Sequence, residues 1–244
     1  MRDIDKYTQE YSKAGFEKYQ VAYRRRKLLE IINKYLPQRI LEIGCGMEPL
    51  FSYIGYEYEF YYVIEPSKTF FDNAQILADG KNVVCYNDFF YPTKELADKK
   101  FDFILCSSLL HELEQPEELL KGILEISDIN TIIHFNVPNA DSLHRLVAVN
   151  MGLILDKHEL SDKNILYQQN MVYDLNMLIS CLKKSGFTIL DKGSYFVKPF
   201  SHDQMYQMLK ENIINDEVMD GLYKLANDIP EYGSEIFVNC KVKV

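Results

Sequence analysis

The stretch at 39–49, RILEIGCGMEP, restricts the fold more than any other part of the chain. An apolar run (Ile40, Leu41, Ile43) carries one acid, Glu42, and breaks into Gly44-Cys45-Gly46. A short apolar run that stops at glycine reads as a buried strand followed by a sharp turn. In an open α/β sheet such a turn lies at the carboxyl end of a strand, where ligands bind. Two glycines there let backbone N–H groups come close to a ligand, because no Cβ intervenes.

Glu65 closes a second apolar run, Phe60-Tyr61-Tyr62-Val63-Ile64. An acid about 20 residues past a Gly-rich turn is placed to accept both hydrogen bonds of a ribose diol. Together the turn and the acid point to an adenosine-containing cofactor.

The remaining chain supplies a sheet for that turn. Leu28, Leu29, Ile31, Ile32 and Leu36 follow helical spacing, and Pro37 stops the helix. Tyr7, Tyr11, Tyr19 and Tyr23 precede them, as packing residues or as rings closing over a cofactor. A short aromatic-rich helix is expected over 49–58. A helix capped by Ser67 should run to Ala78, with Asp79-Gly80 ending it. Further strands are expected at 83–86, 101–106 and 129–137, with a helix from Pro116 to Ile126 between the last two. Strands alternating with helices mean a parallel sheet covered on both faces. Beyond it, 141–149 and 172–185 read as helices, 187–190 and 194–198 as strand-like, 201–227 as one helix and 235–244 as a strand. The inserts at about 151–170 and 201–228 are candidates for a lid or for plain decoration.

Bulk properties narrow the function. The 244 residues fit one domain, and 47% hydrophobic content supports a sizeable core. A net charge of −9 argues against nucleic-acid binding, which needs a basic footprint. The run Arg24-Arg25-Arg26-Lys27 reads as a solvated helix face with one or two cofactor or phosphate contacts. Five scattered cysteines without a C-x-x-C pair suit small buried hydrophobes in a reducing cytoplasm. No apolar stretch reaches the roughly 20 residues of a membrane span, and the first residues do not resemble a signal peptide. The expectation is a soluble, cytoplasmic protein.

LEIGCG at 41–46, VIEPS at 63–67, YNDFF at 86–90, FDFILCSSLLHELEQP at 101–116 and VPNADSLHRL at 137–146 together resemble a class I S-adenosylmethionine-dependent methyltransferase. The last two pieces resemble bacterial small-molecule enzymes that tailor sugars and surface polysaccharides. The resemblance spans about 40–190. It implies a doubly wound, seven-stranded, mostly parallel Rossmann-like sheet with the last strand antiparallel, behind a helical segment at 1–38 that covers the cofactor site. The methyltransferase domain would then occupy 39–244. The implied cofactor is S-adenosyl-L-methionine. Glu42 would hold the turn or reach the methionine amine through water. Gly44, Cys45 and Gly46 would admit the methionine part, and Glu65 would grip the ribose hydroxyls. Asp88 would accept from the adenine amine, Phe89 would form a ring wall or donate from its backbone, and Ser107 would contact the amino-acid end. Gly-x-Gly also opens nucleotide-binding dehydrogenases, but their third glycine falls at Pro49, where helix–strand packing wants Gly or Ala. An NAD(P)-dependent oxidoreductase is therefore an alternative, as is a non-catalytic S-adenosylmethionine-binding module.

Methyl transfer to oxygen needs alignment and removal of a proton. A base near neutral pKa is usually histidine. His111 follows the fourth strand and His144 the fifth, so both are candidates; His134 lies inside an apolar strand and reads as structural. Asn139, Arg145 and Tyr167 are substrate-side candidates, Arg145 suiting a phosphate or carboxylate. The histidine spacings form no metal pair, so no metal is expected. The acceptor is expected to be a small polar molecule, most readily a sugar hydroxyl, and a homodimer is compatible with this reading.

Overall fold

A computed structural model describes residues 3–11 and 15–243; the side chain of Tyr11 lies outside the described residues. The sheet has seven strands: β1 (Arg39–Ile43), β2 (Phe60–Ile64), β3 (Val83–Tyr86), β4 (Phe103–Ser107), β5 (Ile132–Pro138), β6 (Phe187–Tyr195) and β7 (Glu235–Val242). Their order is β3-β2-β1-β4-β5-β7-β6. The first five run parallel, while β7 is antiparallel to both neighbours. The expected seven-stranded, mostly parallel sheet with an antiparallel last strand is the observed one.

Residues 40–43 of β1 are buried, as are 61–64 of β2. That burial explains their near-continuous apolar sequence. Leu41, Ile43, Ile104, Phe135 and Val238 pack on one face, under α5 (Pro116–Glu125) and α8 (Leu175–Lys184). Ile40, Tyr61, Val63, Phe103 and Leu105 pack on the other, under α2 (Glu17–Tyr35) and α10 (Asp216–Leu225). The remaining helices are α1 (Ile4–Tyr11), α3 (Lys68–Leu77), α4 (Lys94–Lys99), α6 (Leu143–Asn150), α7 (Asp162–Leu166) and α9 (His202–Lys210). Ser67 caps α3 by accepting from Phe70 N, and Gly80 follows with φ +71°, as its sequence suggested.

Local departures have physical causes. Instead of a helix over 49–58 there is one 3₁₀ turn, Leu50–Ser52. Leu50 N donates to the Glu42 carboxyl, while Tyr56 Oη donates to Pro37 O and Tyr58 packs on Tyr61 with centroids 5.7 Å apart. The aromatics dock singly rather than along a helical stripe. The expected helix at 201–227 is two helices, broken where Asn212 adopts φ 56° and Asn215 starts α10 by accepting from Val218 N. The two strand-like pieces at 187–190 and 194–198 join in the single strand β6, which ends at Tyr195 and has a register irregularity between Ile189 and Asp191. Strand β5 starts at Ile132 rather than 129, because Asp128 and Thr131 close a turn onto Phe101 O. Within 151–170 only α7 is regular, capped by Ser161 and Asn164. No helix of the described residues is long and apolar enough to cross a membrane.

The four-residue basic run is not a free face. Arg24 pairs with Glu235, Arg25 with Glu48, Arg26 with Asp220 and Lys27 with Glu30.

Candidate active site

The sheet topology gathers remote residues at one edge. Strands β1, β2, β4 and β5 end there. Because β7 is antiparallel it begins there, with Glu235 opposite both Pro138 of β5 and Tyr195 of β6. A cleft of about 2230 Å³ opens along this edge. That exceeds the roughly 300–1,000 Å³ of an ordinary ligand pocket, leaving space for two ligands.

At one end lies the glycine turn. Gly44 has φ +76° and Gly46 φ +61°, values that disfavour any side chain. A Cβ on Gly46 would meet nothing within 4 Å, and one on Gly44 only Leu109 at 4.0 Å, so the backbone borders open cleft. Glu65, 5% exposed, reaches across from β2: its Oε2 accepts from Cys45 N at 3.0 Å and Gly46 N at 3.2 Å, and its Oε1 from Ser67 N at 2.8 Å. The carboxylate thus clamps the turn as well as bordering the cleft. Glu42, 4% exposed, accepts from Leu50 N and Tyr61 Oη. Burial, reinforced by the nearby charge of Glu65, outweighs those hydrogen bonds and pushes its carboxyl up to about 8. Asn73 of α3 donates to Met47 O and steadies the far side of the loop. Helix α1 approaches this end, with Ile4 and Tyr7 lining the cleft and Thr8 Oγ1 2.8 Å from Ser67 Oγ. Tyr19 and Tyr23 pack elsewhere, Tyr23 stacking on Phe196 at 4.6 Å.

The other end is hardly legible from local sequence. Glu17, Gln20 and Arg24 share one face of α2 and project towards the start of β7. Glu235, 2% exposed, accepts from Arg24, Gln20 Nε2, Asn136 Nδ2 and Tyr195 Oη. Beyond it lies Lys198, 1% exposed, whose Nζ is 3.1 Å from His202 Nδ1; His202 Nε2 is 3.3 Å from Glu17 Oε2. Burial alone would raise the Glu17 carboxyl. His202, Arg24 and Lys198 overcome it and hold the group at about 2. A lysine inside the apolar run Tyr195-Phe196-Val197-Lys198-Pro199-Phe200 was the one available signal, since lysine is almost never fully buried without a reason. Glu17 and Glu235 carry no local signature; apart from Arg24, which shares a helix with Glu17, their partners lie far away in the chain.

The expected site residues fall into three groups. Glu42, Gly44, Cys45, Gly46, Glu65, Phe89, Ser107, His111, Asn139, His144, Arg145 and Tyr167 all line the cleft. Asp88 does not; it is exposed and accepts from Phe89 N in its own turn. Two lining residues are occupied inside the protein. Asn139 donates to Glu231 O and Gly233 O and accepts from Asp141 N, tying β5 to the approach to β7. Arg145 donates to Lys157 O and Glu159 O and holds the 151–170 insert in place. Tyr167 is half-buried, and burial first, then Glu17, Glu10 and Asp203, raises its phenol. His111 is 2% exposed and its backbone carbonyl accepts from Asn170 N and Met171 N. His144 Nδ1 is buried without a hydrogen-bond partner among the described residues, and burial with Lys198, His202 and Arg145 nearby keeps the ring well below the usual histidine range. His134 is structural, 2.7 Å from Asn239 Oδ1 through Nδ1 and lowered to about 4 by burial.

The methyltransferase-domain family matches residues 19–192, and the chain belongs to it. No curated protein matches the sequence. Among solved structures, similar folds include an S-adenosylmethionine-dependent methyltransferase, possible histamine N-methyltransferase, from Thermotoga maritima (15% identity, 97% of this chain and 98% of that one, TM-score 0.58). The N-methyltransferase NodS from Bradyrhizobium japonicum, in complex with S-adenosyl-L-homocysteine, aligns at 14% identity over 93% of this chain and 87% of its own, with TM-score 0.55. An S-adenosylmethionine-dependent methyltransferase from Mesorhizobium loti aligns at 13% identity over 86% and 95%, with TM-score 0.56. The family's cofactor is S-adenosyl-L-methionine, and the open space over the positive-φ glycines suits a ligand packed against bare backbone. The dehydrogenase alternative gives way to this family.

Proposed function

We propose that the protein transfers a methyl group from S-adenosylmethionine to a hydroxyl of a small polar acceptor, most readily a sugar or related metabolite. The carrying observation is the far end of the cleft. It is rich in weakly basic groups, His144 and Lys198 among them, and the carboxylates nearest them are already engaged, Glu17 by His202 and Arg24, Glu235 by Arg24 and Asp203 by Lys163. An ammonium acceptor would need a carboxylate to hold it. A hydroxyl acceptor needs groups that accept and donate hydrogen bonds without charge.

The cofactor supplies a methyl carbon activated by a positive sulfur with a neutral leaving group. The protein supplies alignment and a destination for the proton. In this reading Gly44, Cys45 and Gly46 bear the methionine part and Glu65 the ribose. Phe89 flanks the adenine, and Asp88, its neighbour in the same turn, is the candidate acceptor for the adenine amine. Ser107 bounds the amino-acid end. His111 and His144 touch the acceptor as catalytic residues, and Tyr167 closes over it from the insert. The segment at 1–38, through α1, covers the cofactor.

Incubation with methyl-labelled S-adenosylmethionine and separate pools of hydroxyl acceptors (free sugars, nucleotide-linked sugars, phenols) and amines tests this. Label should appear in the hydroxyl pool, and His111→Ala or His144→Ala should lower turnover, by about 10²–10⁴-fold for whichever of them takes the proton and by less for one that only hydrogen-bonds the acceptor. Label confined to amines, or binding of cofactor with no transfer at all, would refute the hydroxyl reading.

A further inference from the structure

We propose that Lys198 takes the proton from the acceptor hydroxyl, and that Glu17 and His202 are the pair that positions it. This rests on the hydroxyl reading and deepens it.

The geometry carries the assignment. Lys198 sits just past the carboxyl end of β6, where Phe196 turns the chain with φ 57°. Its backbone is pinned: Lys198 O accepts from His144 N at 3.1 Å, and Val197 N donates to Leu222 O at 2.9 Å. The side chain lines the cleft beside Phe16, with Nζ 5.8 Å from that ring, and meets no carboxylate within ion-pair distance among the described residues. Its hydrogen-bond partner is an imidazole. Glu17 Oε2 lies 3.3 Å from His202 Nε2 without hydrogen-bond alignment, and its negative charge favours the tautomer with the hydrogen on Nε2, which leaves Nδ1 to accept from Lys198. An amine that donates to Nδ1 keeps its lone pair for a proton from elsewhere. A buried lysine paired to an imidazole rather than a carboxylate is built to be neutral part of the time.

The surrounding charges agree. They are Glu17 and Arg24 on α2, His144 and Arg145 on α6, Lys163 on α7, His202 and Asp203 on α9, and Glu235 at the start of β7. Burial is the largest influence on Lys198 and brings it down to about 7; Glu17, Glu235 and Asp203 pull upward and Lys163 downward. His144 is the nearest competitor. Its buried, partnerless Nδ1 is better left as a bare acceptor than as an orphaned N–H, which puts the hydrogen on Nε2. That makes His144 a donor to the acceptor's oxygens rather than a proton sink.

The step balances. As the acceptor oxygen bonds the methyl carbon, the carbon–sulfur bond breaks with its electron pair on sulfur. The hydroxyl proton passes to Lys198 Nζ, and the resulting ammonium returns it to solvent.

The test has two arms. Protein carrying ¹³Cε-labelled lysine is titrated by NMR between about pH 5 and 11, with Lys198→Met to assign the resonance. One lysine should titrate near neutrality and vanish in that variant. Glu17→Gln should move its midpoint lower, since a nearby negative charge is removed. In the second arm the hydroxyl pool and labelled cofactor are used across pH. Wild-type kcat should rise with pH through the Lys198 midpoint. Lys198→Met should lose about 10²–10⁴-fold in kcat together with that limb, at unchanged cofactor affinity. Lys198→Arg should not rescue it, because guanidinium stays charged. A Lys198 midpoint near that of ordinary lysine, or a wild-type pH profile in Lys198→Met, overturns the proposal while leaving hydroxyl transfer standing. Absence of transfer to any hydroxyl by wild type overturns both.

Discussion

The two ends of the cleft are built on different plans. The end proposed for the cofactor is local and made largely of backbone: one strand, one glycine turn and the acid at the end of the next strand, with Glu65 clamping the amides of Cys45 and Gly46. The end proposed for the acceptor is assembled from side chains on α2, β5, α6, β6, α9 and β7, held by the hydrogen bonds and ion pairs that converge on Glu235 and Glu17. A site made of backbone tolerates change in most side chains and depends on a few glycines. A site made of buried charges depends on every partner.

That contrast can be broken by substitution. The largest effect on folding should come from the acceptor end. Arg24→Met leaves Glu235 buried without its bidentate partner, and loss of one member of a buried ion pair costs about 3–5 kcal/mol. Denaturant unfolding measures this; a change comparable to a surface substitution would show that Gln20, Asn136 and Tyr195 suffice. A smaller effect is expected at the cofactor end. Glu65→Ala should weaken S-adenosylhomocysteine binding by about 1.5–3 kcal/mol in calorimetric titration, through lost charge-assisted hydrogen bonds and a loosened glycine turn. The third effect is one of pH. The Glu42 carboxyl lies at about 8 in the folded protein against 4.5 as its ordinary value. The folded state therefore binds more protons in that window, and stability should fall as pH rises from 4.5 through 8. Glu42→Gln, which keeps the hydrogen-bonding shape, should flatten that slope in urea melts; an unchanged slope would assign the pH dependence to other groups.

The same contrast explains what the sequence disclosed. The strand–turn–acid pattern is contiguous, so Glu42, Gly44, Cys45, Gly46 and Glu65 were legible from spacing, as were most strands of the sheet. The helix expected at 49–58 failed because Glu42, a residue outside that window, captures Leu50 N. The break at Asn212 failed because apolar periodicity runs on through it and only one residue in the left-handed region interrupts it. At the acceptor end His111 and His144 were found by their place after β4 and β5, and both line the cleft. Asn139 and Arg145 were found the same way, yet they spend their hydrogen bonds on neighbouring loops, which position after a strand cannot foretell. Glu17, Lys198 and Glu235 went unnoticed because their meaning comes from partners brought together only by the antiparallel last strand and the chain leaving β6.

The central claim is that one cleft holds both reactants, with the cofactor's ribose at Glu65 and its sulfur turned towards His144 and Lys198. A crystal structure with S-adenosylhomocysteine bound tests it most directly. The account predicts ribose hydroxyls within hydrogen-bond distance of Glu65 and an open path from the sulfur to Lys198 Nζ. A ribose held by another residue, or a sulfur facing away from that end of the cleft, would contradict it.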